Sequence, residues 1–336
     1  MIVDNGANEW NTKGLALSNL ENYDEAIECY NKAIEIDPNY PQAWHNKGLA
    51  LNNLEKYDEA IQCFDKVIEI DLNYVDAWNG KGNALYFLGR HEEAIGCFDK
   101  VMEIDPNYAP AWNNKGNAFS NLGKNDDAIS CFNRAIEVDP NYVDAWYGKG
   151  LALYNSGKYD EAISCFNKAI EVDPNYVDAW NDKGNALYFL EKHEGAIDCY
   201  DNAIEIDPNY VPAWNNKGNA LGNLGRYDEA IKCYDKAIEI DPNYAPGWNN
   251  KGSALSNLGK YDEAIKYYDK ATEINPNYIE AWINKGNILG RLGKHEEAIG
   301  CFDKVMEIDP NYAPAWNNKG NAFSNLGKND DAISCF

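Results

Sequence analysis

Residues 211–244 read VPAWNNKGNALGNLGRYDEAIKCYDKAIEIDPNY, and close variants of this 34-residue segment fill the chain. All ten tryptophans lie on one lattice with a step of 34 residues: Trp10, Trp44, Trp78, Trp112, Trp146, Trp180, Trp214, Trp248, Trp282 and Trp316. A constant period of this size is typical of stacked repeat architectures. We therefore number every repeat so that its tryptophan is position 4.

Each repeat predicts two helices. Positions 4, 8, 11 and 14, which are Trp214, Gly218, Leu221 and Leu224 in the quoted segment, form the apolar stripe of helix A. Glycine at position 15 suits the C-terminus of this helix. An acidic residue at position 18 favours the start of helix B, which buries positions 20, 21, 24, 27 and 28. All 13 prolines fall at positions 1, 2 or 32, outside the predicted helix interiors.

Two features of this pattern concern the fit between helices. Small residues at positions 8, 20 and 27 allow the helices to approach each other closely. Leu72 replaces the usual proline at position 32 of the second repeat. Because that proline normally stops helix B, we expect the helix to run slightly longer there.

The residues at positions 4, 8, 20, 24, 27 and 32 resemble the signature of the tetratricopeptide repeat (TPR) family. The resemblance runs from Ala7 to Phe336 and implies an all-α, right-handed superhelical solenoid of antiparallel helix pairs. We expect residues 1–6 to be an N-terminal lead-in and residues 7–336 to form a single solenoid. Nine complete repeats start at residues 7, 41, 75, 109, 143, 177, 211, 245 and 279, and a partial tenth covers residues 313–336.

One departure from the family pattern occurs in every repeat. Position 7 is lysine, where family members often have leucine. The alkyl stem of a lysine can still cover apolar surface while its ammonium group reaches water.

The charge of the chain disfavours two classes of partner. Thirty basic and 54 acidic residues give a net charge of −24, which repels nucleic-acid phosphates and anionic lipid surfaces. The first ten residues, MIVDNGANEW, lack the basic start and apolar run of a signal peptide. No segment approaches the roughly 18 apolar residues of a membrane span. We expect a cytoplasmic protein that binds neither nucleic acid nor membrane.

The sequence contains no recognisable catalytic or metal-binding pattern. All nine cysteines occupy position 23, and equivalent positions on stacked helices lie roughly 8–10 Å apart, beyond the ~7 Å limit for a disulfide. Phosphate-binding, zinc-protease and EF-hand motifs are missing. We therefore expect no enzymatic activity, no cofactor and no metal. Two weaker alternatives stay open, namely calcium at the turn between Asp173 and Asp178 and a ligand contact by His45.

The TPR resemblance also implies where a ligand binds, because positions 2, 5, 6, 9, 12 and 13 of helix A face the concave groove in that family. Asparagine dominates these positions, and its amide pairs with both sides of a peptide bond. Position 6 resembles the asparagine ladder of O-linked N-acetylglucosamine transferases. Position 9 resembles the carboxylate clamp of heat-shock cochaperones, but the lysine that the clamp needs at position 5 is missing. The alternative is that the asparagines are solvated polar fill.

Larger apolar side chains occupy groove positions in the middle repeats. They either anchor a peptide or pack between neighbouring A helices. The predicted groove residues are Asn83, Tyr86, Phe87, Asn114, Asn117, Tyr147, Leu151, Tyr154, Asn185, Tyr188, Phe189, Asn216 and Asn219.

The function that we predict is an interaction scaffold that holds a peptide or protein partner in the concave groove, with a preference for basic peptides. The alternative prediction is a structural protein that assembles end to end into filaments or superhelical stacks. It rests on the identity of residues 91–132 with residues 295–336 and on the position of Phe336 within helix B. Such an ending is expected of a fragment, an engineered array or a stacking unit.

Overall fold

The computed structural model describes residues 5–336, which form α-helices joined by short turns, with no β-strand among them. The chain divides into two compact units, Met1–Pro174 and Asn175–Phe336. Within each unit a helix packs on its sequence neighbours, and successive A helices also contact one another. The predicted all-α fold of helix pairs is confirmed. The single solenoid over residues 7–336 stays a prediction, and residues 1–4 of the predicted lead-in lie outside the described residues.

The helices of the first unit follow the predicted repeat pattern. They are α1 (Asn5–Ser18), α2 (Tyr23–Ile36), α3 (Pro41–Asn53), α4 (Tyr57–Ile70), α5 (Val75–Phe87), α6 (His91–Ile104), α7 (Ala109–Asn121), α8 (Asn125–Val138), α9 (Val143–Asn155) and α10 (Tyr159–Val172).

The helices of the second unit continue the same alternation of A and B. They are α11 (Val177–Phe189), α12 (His193–Ile206), α13 (Val211–Asn223), α14 (Tyr227–Ile240), α15 (Ala245–Asn257), α16 (Tyr261–Ile274), α17 (Ile279–Arg291), α18 (His295–Ile308), α19 (Ala313–Asn325) and α20 (Asn329–Cys335).

The centre of each repeat is an aromatic ring from helix B seated on the glycine of helix A. Phe132 is fully buried, and a Cβ atom added to Gly116 would lie 2.7 Å from its Cε1 atom. The same contact recurs between Tyr234 and Gly218, where the added Cβ would lie 2.5 Å from Cε1. Since no ordinary contact is that short, only glycine permits this approach of the two helices.

The turn after helix A requires a left-handed backbone at position 15. Seven glycines adopt φ values between 71° and 76° there, as Gly225 does at 75°. In three repeats the same conformation falls on a glutamate: Glu21, Glu55 and Glu191, with φ of 61°, 59° and 59°. A residue with a Cβ atom is strained in this region, so these turns are less stable than their glycine counterparts.

The turn after helix B is built by hydrogen bonds that do not need proline. In the second repeat, Asp71 Oδ1 accepts a hydrogen bond from the Asn73 backbone N–H at 2.9 Å. Trp78 Nε1 donates to the Leu72 carbonyl at 3.0 Å, as Trp112 does to the Pro106 carbonyl. Helix α4 therefore ends at Ile70, the equivalent of Ile104 in α6. Our expectation of a longer helix at Leu72 was wrong.

The lysine at position 7 connects neighbouring repeats. In eight repeats its ammonium group lies over the tryptophan of the same repeat, at 5.9 Å from the ring centroid for Lys115 and Trp112. It also pairs with the aspartate at position 25 of the preceding repeat, as in Lys115–Asp99 at 2.5 Å. The other pairs are Lys81–Asp65, Lys217–Asp201, Lys251–Asp235, Lys285–Asp269 and Lys319–Asp303. The ammonium group thus reaches a carboxylate as well as water, which a leucine could not do.

Replacing Glu55 with glycine should stabilise the protein by about 1 kcal/mol, because glycine adopts the left-handed conformation without strain. The measurement is the midpoint of urea unfolding. Gln62→Gly is the matched control, since Gln62 is an exposed residue inside α4, where glycine should cost roughly 1 kcal/mol. A lower midpoint for both variants would contradict the strained turn.

Replacing Leu72 with proline should raise the melting temperature, with a gain of about 0.4–1 kcal/mol. Asp71 before it is already extended, with φ −140° and ψ 102°, which suits a residue preceding proline. The control is Asp71→Pro, which removes the hydrogen bond from the Asp71 N–H to the Val67 carbonyl and should destabilise the protein. Equal losses for the two variants would show that helix α4 needs Leu72 itself.

Candidate functional site

A small pocket opens on the groove face of the first unit, the side of the A helices that carries positions 2, 5, 6, 9, 12 and 13. It has a volume of about 170 Å³. It lies between α5 and α7, and its lining consists of five predicted groove residues: Asn83, Tyr86, Phe87, Asn114 and Asn117. The structure therefore brings together the part of the predicted site that comes from the third and fourth repeats.

The apolar wall of this pocket is an ordered aromatic cluster. Phe87 is 64% exposed and stacks on Tyr57, with ring centroids 5.4 Å apart and planes 14° apart. Tyr86 packs edge-on against Phe87 at 5.5 Å and tilts against His91 at 5.2 Å. Its hydroxyl accepts a hydrogen bond from Asn121 Nδ2 at 2.7 Å. These contacts fix the rings before any ligand arrives, while one side of Phe87 stays open to solvent.

Most groove asparagines bond to each other across the repeat boundary. Asn114 Nδ2 donates to Asn83 Oδ1 at 2.9 Å and to Asn79 Oδ1 at 3.3 Å. Its own Oδ1 accepts from Asn113 Nδ2 at 3.4 Å. The same bond from position 6 to position 9 joins Asn216 to Asn185, Asn250 to Asn219 and Asn318 to Asn287. The amides in these pairs are not merely solvated, and they are not free to bind a peptide backbone. They bond to one another and hold successive A helices in register.

Asn117 is an exception to this arrangement. The residue at position 6 of the next repeat is Gly148, which has no amide to donate. Among residues 5–336 the Asn117 side chain makes no hydrogen bond, and the buried Oδ1 atom of Asn113 also lacks a partner. Asn117 therefore faces the pocket with both its donor and its acceptor unused.

The three predicted residues on α9 lie in the first unit but do not line this pocket. Tyr147 packs on the buried Phe166 with ring centroids 5.9 Å apart. Tyr154 packs edge-on against Tyr159 at 5.5 Å, and Leu151 is half-buried. Tyr147 and Tyr154 thus contribute to packing within their own repeat.

The remaining predicted residues lie on α11 and α13 of the second unit. Tyr188 packs edge-on against Phe189, which is 57% exposed, and accepts a hydrogen bond from Asn223 Nδ2 at 2.7 Å. Tyr188 and Asn219 help to line a pocket of about 310 Å³. Asn185 Oδ1 accepts bonds from Asn216 and from the Tyr200 hydroxyl, and its Nδ2 donates to Asp182. Asn185 and Asn216 are thereby committed to other residues.

His45 has a structural environment. Its ring packs between Phe64 at 5.7 Å and Tyr74 at 5.4 Å. Burial lowers the pKa of His45 below its usual value, an effect that Asp76 opposes. The imidazole is therefore part of the packing between helices.

A family model described as tetratricopeptide repeat matches residues 7–40, 41–74, 75–108, 109–142, 143–176, 211–244, 245–278 and 279–312. Related models cover residues 184–225, 165–198 and 301–334. The chain belongs to the tetratricopeptide repeat family. It is a TPR scaffold, and a search of curated proteins found no match to it.

Two solved structures share the fold of this TPR protein. The Cut9–Hcn1 hetero-tetramer of the APC/C has a TM-score of 0.59 at 18% identity, over 94% of this chain and 76% of the other. Yeast Tom70 has a TM-score of 0.54 at 15% identity, over 99% and 91% of the two chains. The solved structure of YrrB, described as a TPR protein with an unusual peptide-binding site, is 28% identical over 56% of this chain and 96% of its own, with a TM-score of 0.45.

The cysteines of this TPR protein are poorly suited to chemistry. All nine are free thiols, and eight of them are buried. Burial raises the pKa of Cys63, Cys97, Cys131, Cys199, Cys233 and Cys301 to about 11. Since the thiolate is the reactive form, these thiols are weak nucleophiles at neutral pH.

Residues 5–336 offer neither a cluster of metal ligands nor a membrane-spanning helix. Nowhere in that range do three histidine, cysteine or acidic side chains converge as metal ligands would. None of its helices has the length and apolar character needed to cross a bilayer.

The contacts between repeats join residues that lie far apart in the sequence, so single positions do not predict them. The asparagine bonds join residues 31 or 35 positions apart, and the lysine–aspartate pairs join residues 16 apart. A signal was present, because asparagine recurs together at positions 5, 6 and 9, and lysine at 7 accompanies aspartate at 25 in most repeats. Recognising it requires the stacking register, which one repeat does not specify.

Replacing Asn114 with alanine should lower stability by about 1–2 kcal/mol, because it removes the bond between α5 and α7 and leaves the Asn83 acceptor without its donor. Asn117→Ala is the matched control and should change stability by less than about 0.5 kcal/mol. Urea unfolding of both variants checks this. Equal effects would show that the bond between repeats contributes nothing.

Proposed function

We propose that this TPR scaffold binds an extended peptide segment of a protein partner on the groove face of its first unit, at the pocket between α5 and α7. The observation that carries the proposal is the Asn117 side-chain amide, which has no hydrogen-bond partner among residues 5–336 and lines the same pocket as the exposed ring of Phe87. An unused donor and acceptor beside an apolar surface is the arrangement that fixes a peptide group next to its side chain.

The lining residues have different roles in this proposal. Phe87 and Tyr86 contact one apolar peptide side chain, since a volume of about 170 Å³ suits a single side chain better than a whole small molecule. Asn117 accepts from one peptide N–H and donates to the neighbouring carbonyl. Asn114 stays bonded to Asn83 and positions the wall of the pocket without contacting the peptide backbone.

The other predicted groove residues have secondary roles. Tyr147, Leu151 and Tyr154 extend the apolar surface of the first unit along α9. In the second unit, Tyr188, Phe189 and Asn219 offer a separate contact surface at the pocket of about 310 Å³. Asn185 and Asn216 hold α11 and α13 in register there.

The preferred partner in this proposal is a peptide with basic residues around its apolar anchor. The net charge of −24 attracts cations over a distance of about one Debye length and repels nucleic acid and anionic membranes. We also propose that the protein is cytoplasmic and that it acts without catalysis, cofactor or metal. End-to-end self-assembly stays a separate prediction, which sedimentation velocity at several protein concentrations tests directly.

The experiment is a peptide-display selection on the wild-type protein, followed by calorimetry of an enriched peptide with two variants. Phe87→Ala should weaken binding by about 2 kcal/mol or more, because it removes the apolar anchor. Asn117→Ala should cost about 0.5–1.5 kcal/mol. Added salt should weaken the binding of basic peptides most.

The control is Leu72→Ala, which removes an apolar side chain that is 71% exposed and lies outside the groove face. It should leave the affinity unchanged. If enriched peptides bind Phe87→Ala and Asn117→Ala as tightly as the wild type, with both variants folded, the peptide site is not at this pocket.

A further inference from the structure

A larger pocket lies on the seventh repeat, between α13 and α14. Its volume is about 560 Å³. The lining residues are Trp214, Lys217, Leu221, Glu229, Lys232, Cys233, Asp235 and Lys236. Trp214 lies two residues before the groove residue Asn216, and Lys217 lies two residues before Asn219. Two residues along an α-helix turn the side chain by about 200° around the helix axis. The pocket therefore opens on the opposite side of α13 from the groove face.

The eighth repeat fills the corresponding place with a side chain of its own. Tyr267 replaces cysteine at position 23, the position of Cys233. Its ring stacks on Trp248, the equivalent of Trp214, with centroids 5.8 Å apart and planes 27° apart. The ammonium group of Lys251, the equivalent of Lys217, lies 4.3 Å from the centre of the Tyr267 ring. Tyr267 also packs on the cluster around Leu255, the equivalent of Leu221.

We propose that the pocket of the seventh repeat binds a tyrosine side chain of a protein partner in the way that the eighth repeat binds Tyr267. The cysteine at position 23 is small and leaves the tryptophan face open, whereas a tyrosine there closes it. This second interaction surface is independent of the groove on the first unit.

The charges around the pocket favour a neutral aromatic ring over an anion. Lys217 pairs with Asp201, and Lys236 pairs with Glu239 at 2.6 Å. The acidic lining residues are paired too, since Glu229 bonds to Arg226 at 2.7 Å and Asp235 to Lys251 at 2.5 Å.

These ion pairs involve four of the five charged lining residues, and Lys232 is the fifth. Lys217 lines the pocket and is the equivalent of Lys251, whose ammonium group lies over an aromatic ring while it is paired with Asp235. A phenol ring is thus the group for which the pocket supplies both stacking and a cation.

The test uses the tripeptide amide acetyl-Gly-Tyr-Gly-NH2 and full-length protein with ¹⁵N-labelled tryptophan. The indole N–H resonance of Trp214, assigned with Trp214→Phe, should shift on titration. Acetyl-Gly-Ala-Gly-NH2 is the matched probe and should leave that resonance unchanged. An equal shift with both tripeptides, or none with either, would overturn the proposal.

Two exchanged variants separate the pocket from a general effect on folding. Cys233→Tyr copies the eighth repeat, so it should reduce the affinity of the tyrosine tripeptide at Trp214 by at least tenfold. Tyr267→Cys copies the seventh repeat and should create a new titratable shift at Trp248. Unchanged binding in Cys233→Tyr, or no gain at Trp248 in folded Tyr267→Cys, would contradict the proposed site.

Discussion

The contact between the glycine at position 8 and the aromatic ring at position 24 is the constraint on which every repeat depends. At Gly218 an added Cβ atom would lie 2.5 Å from the Tyr234 ring, so a residue with a side chain would push helix A and helix B apart. Alanines at positions 20 and 27, such as Ala230 and Ala237, are fully buried around the same contact. This geometry fixes which side of helix A is buried and therefore which positions remain on the groove face.

The sequence predicted the fold well because the decisive information is local and recurs many times. Proline and glycine mark the helix borders in most repeats, and the structure places those borders where they indicate. The expectation at Leu72 was wrong because Asp71 and Asn73 form the turn whether or not proline follows helix B. The strain at Glu55 was not predicted, because a backbone dihedral angle becomes visible only when the turn is built.

The candidate site was predicted less completely, and the reason is physical. Five of the predicted groove residues, Asn83, Tyr86, Phe87, Asn114 and Asn117, line one pocket, and their role in binding stays a prediction. The sequence pattern does not distinguish one groove asparagine from another, however. In the structure Asn114 bonds to Asn83 of the preceding repeat, whereas Asn117 has no such bond because residue 148 is glycine. In a nearly regular array, a residue that departs from the common pattern changes the surface beside it. Gly148 leaves the Asn117 amide without a hydrogen-bond partner, whereas Tyr267 covers Trp248 where Cys233 leaves Trp214 open.

The division of the asparagines into structural and ligand-binding groups is the central claim of this account. A crystal structure of the full chain with a peptide enriched on its groove face tests that claim most directly. We predict that the peptide backbone bonds to the Asn117 amide, that an apolar peptide side chain rests on Phe87, and that Asn114 keeps its bond to Asn83. A peptide bound elsewhere, or one that takes the Asn114 amide away from Asn83, would contradict the account.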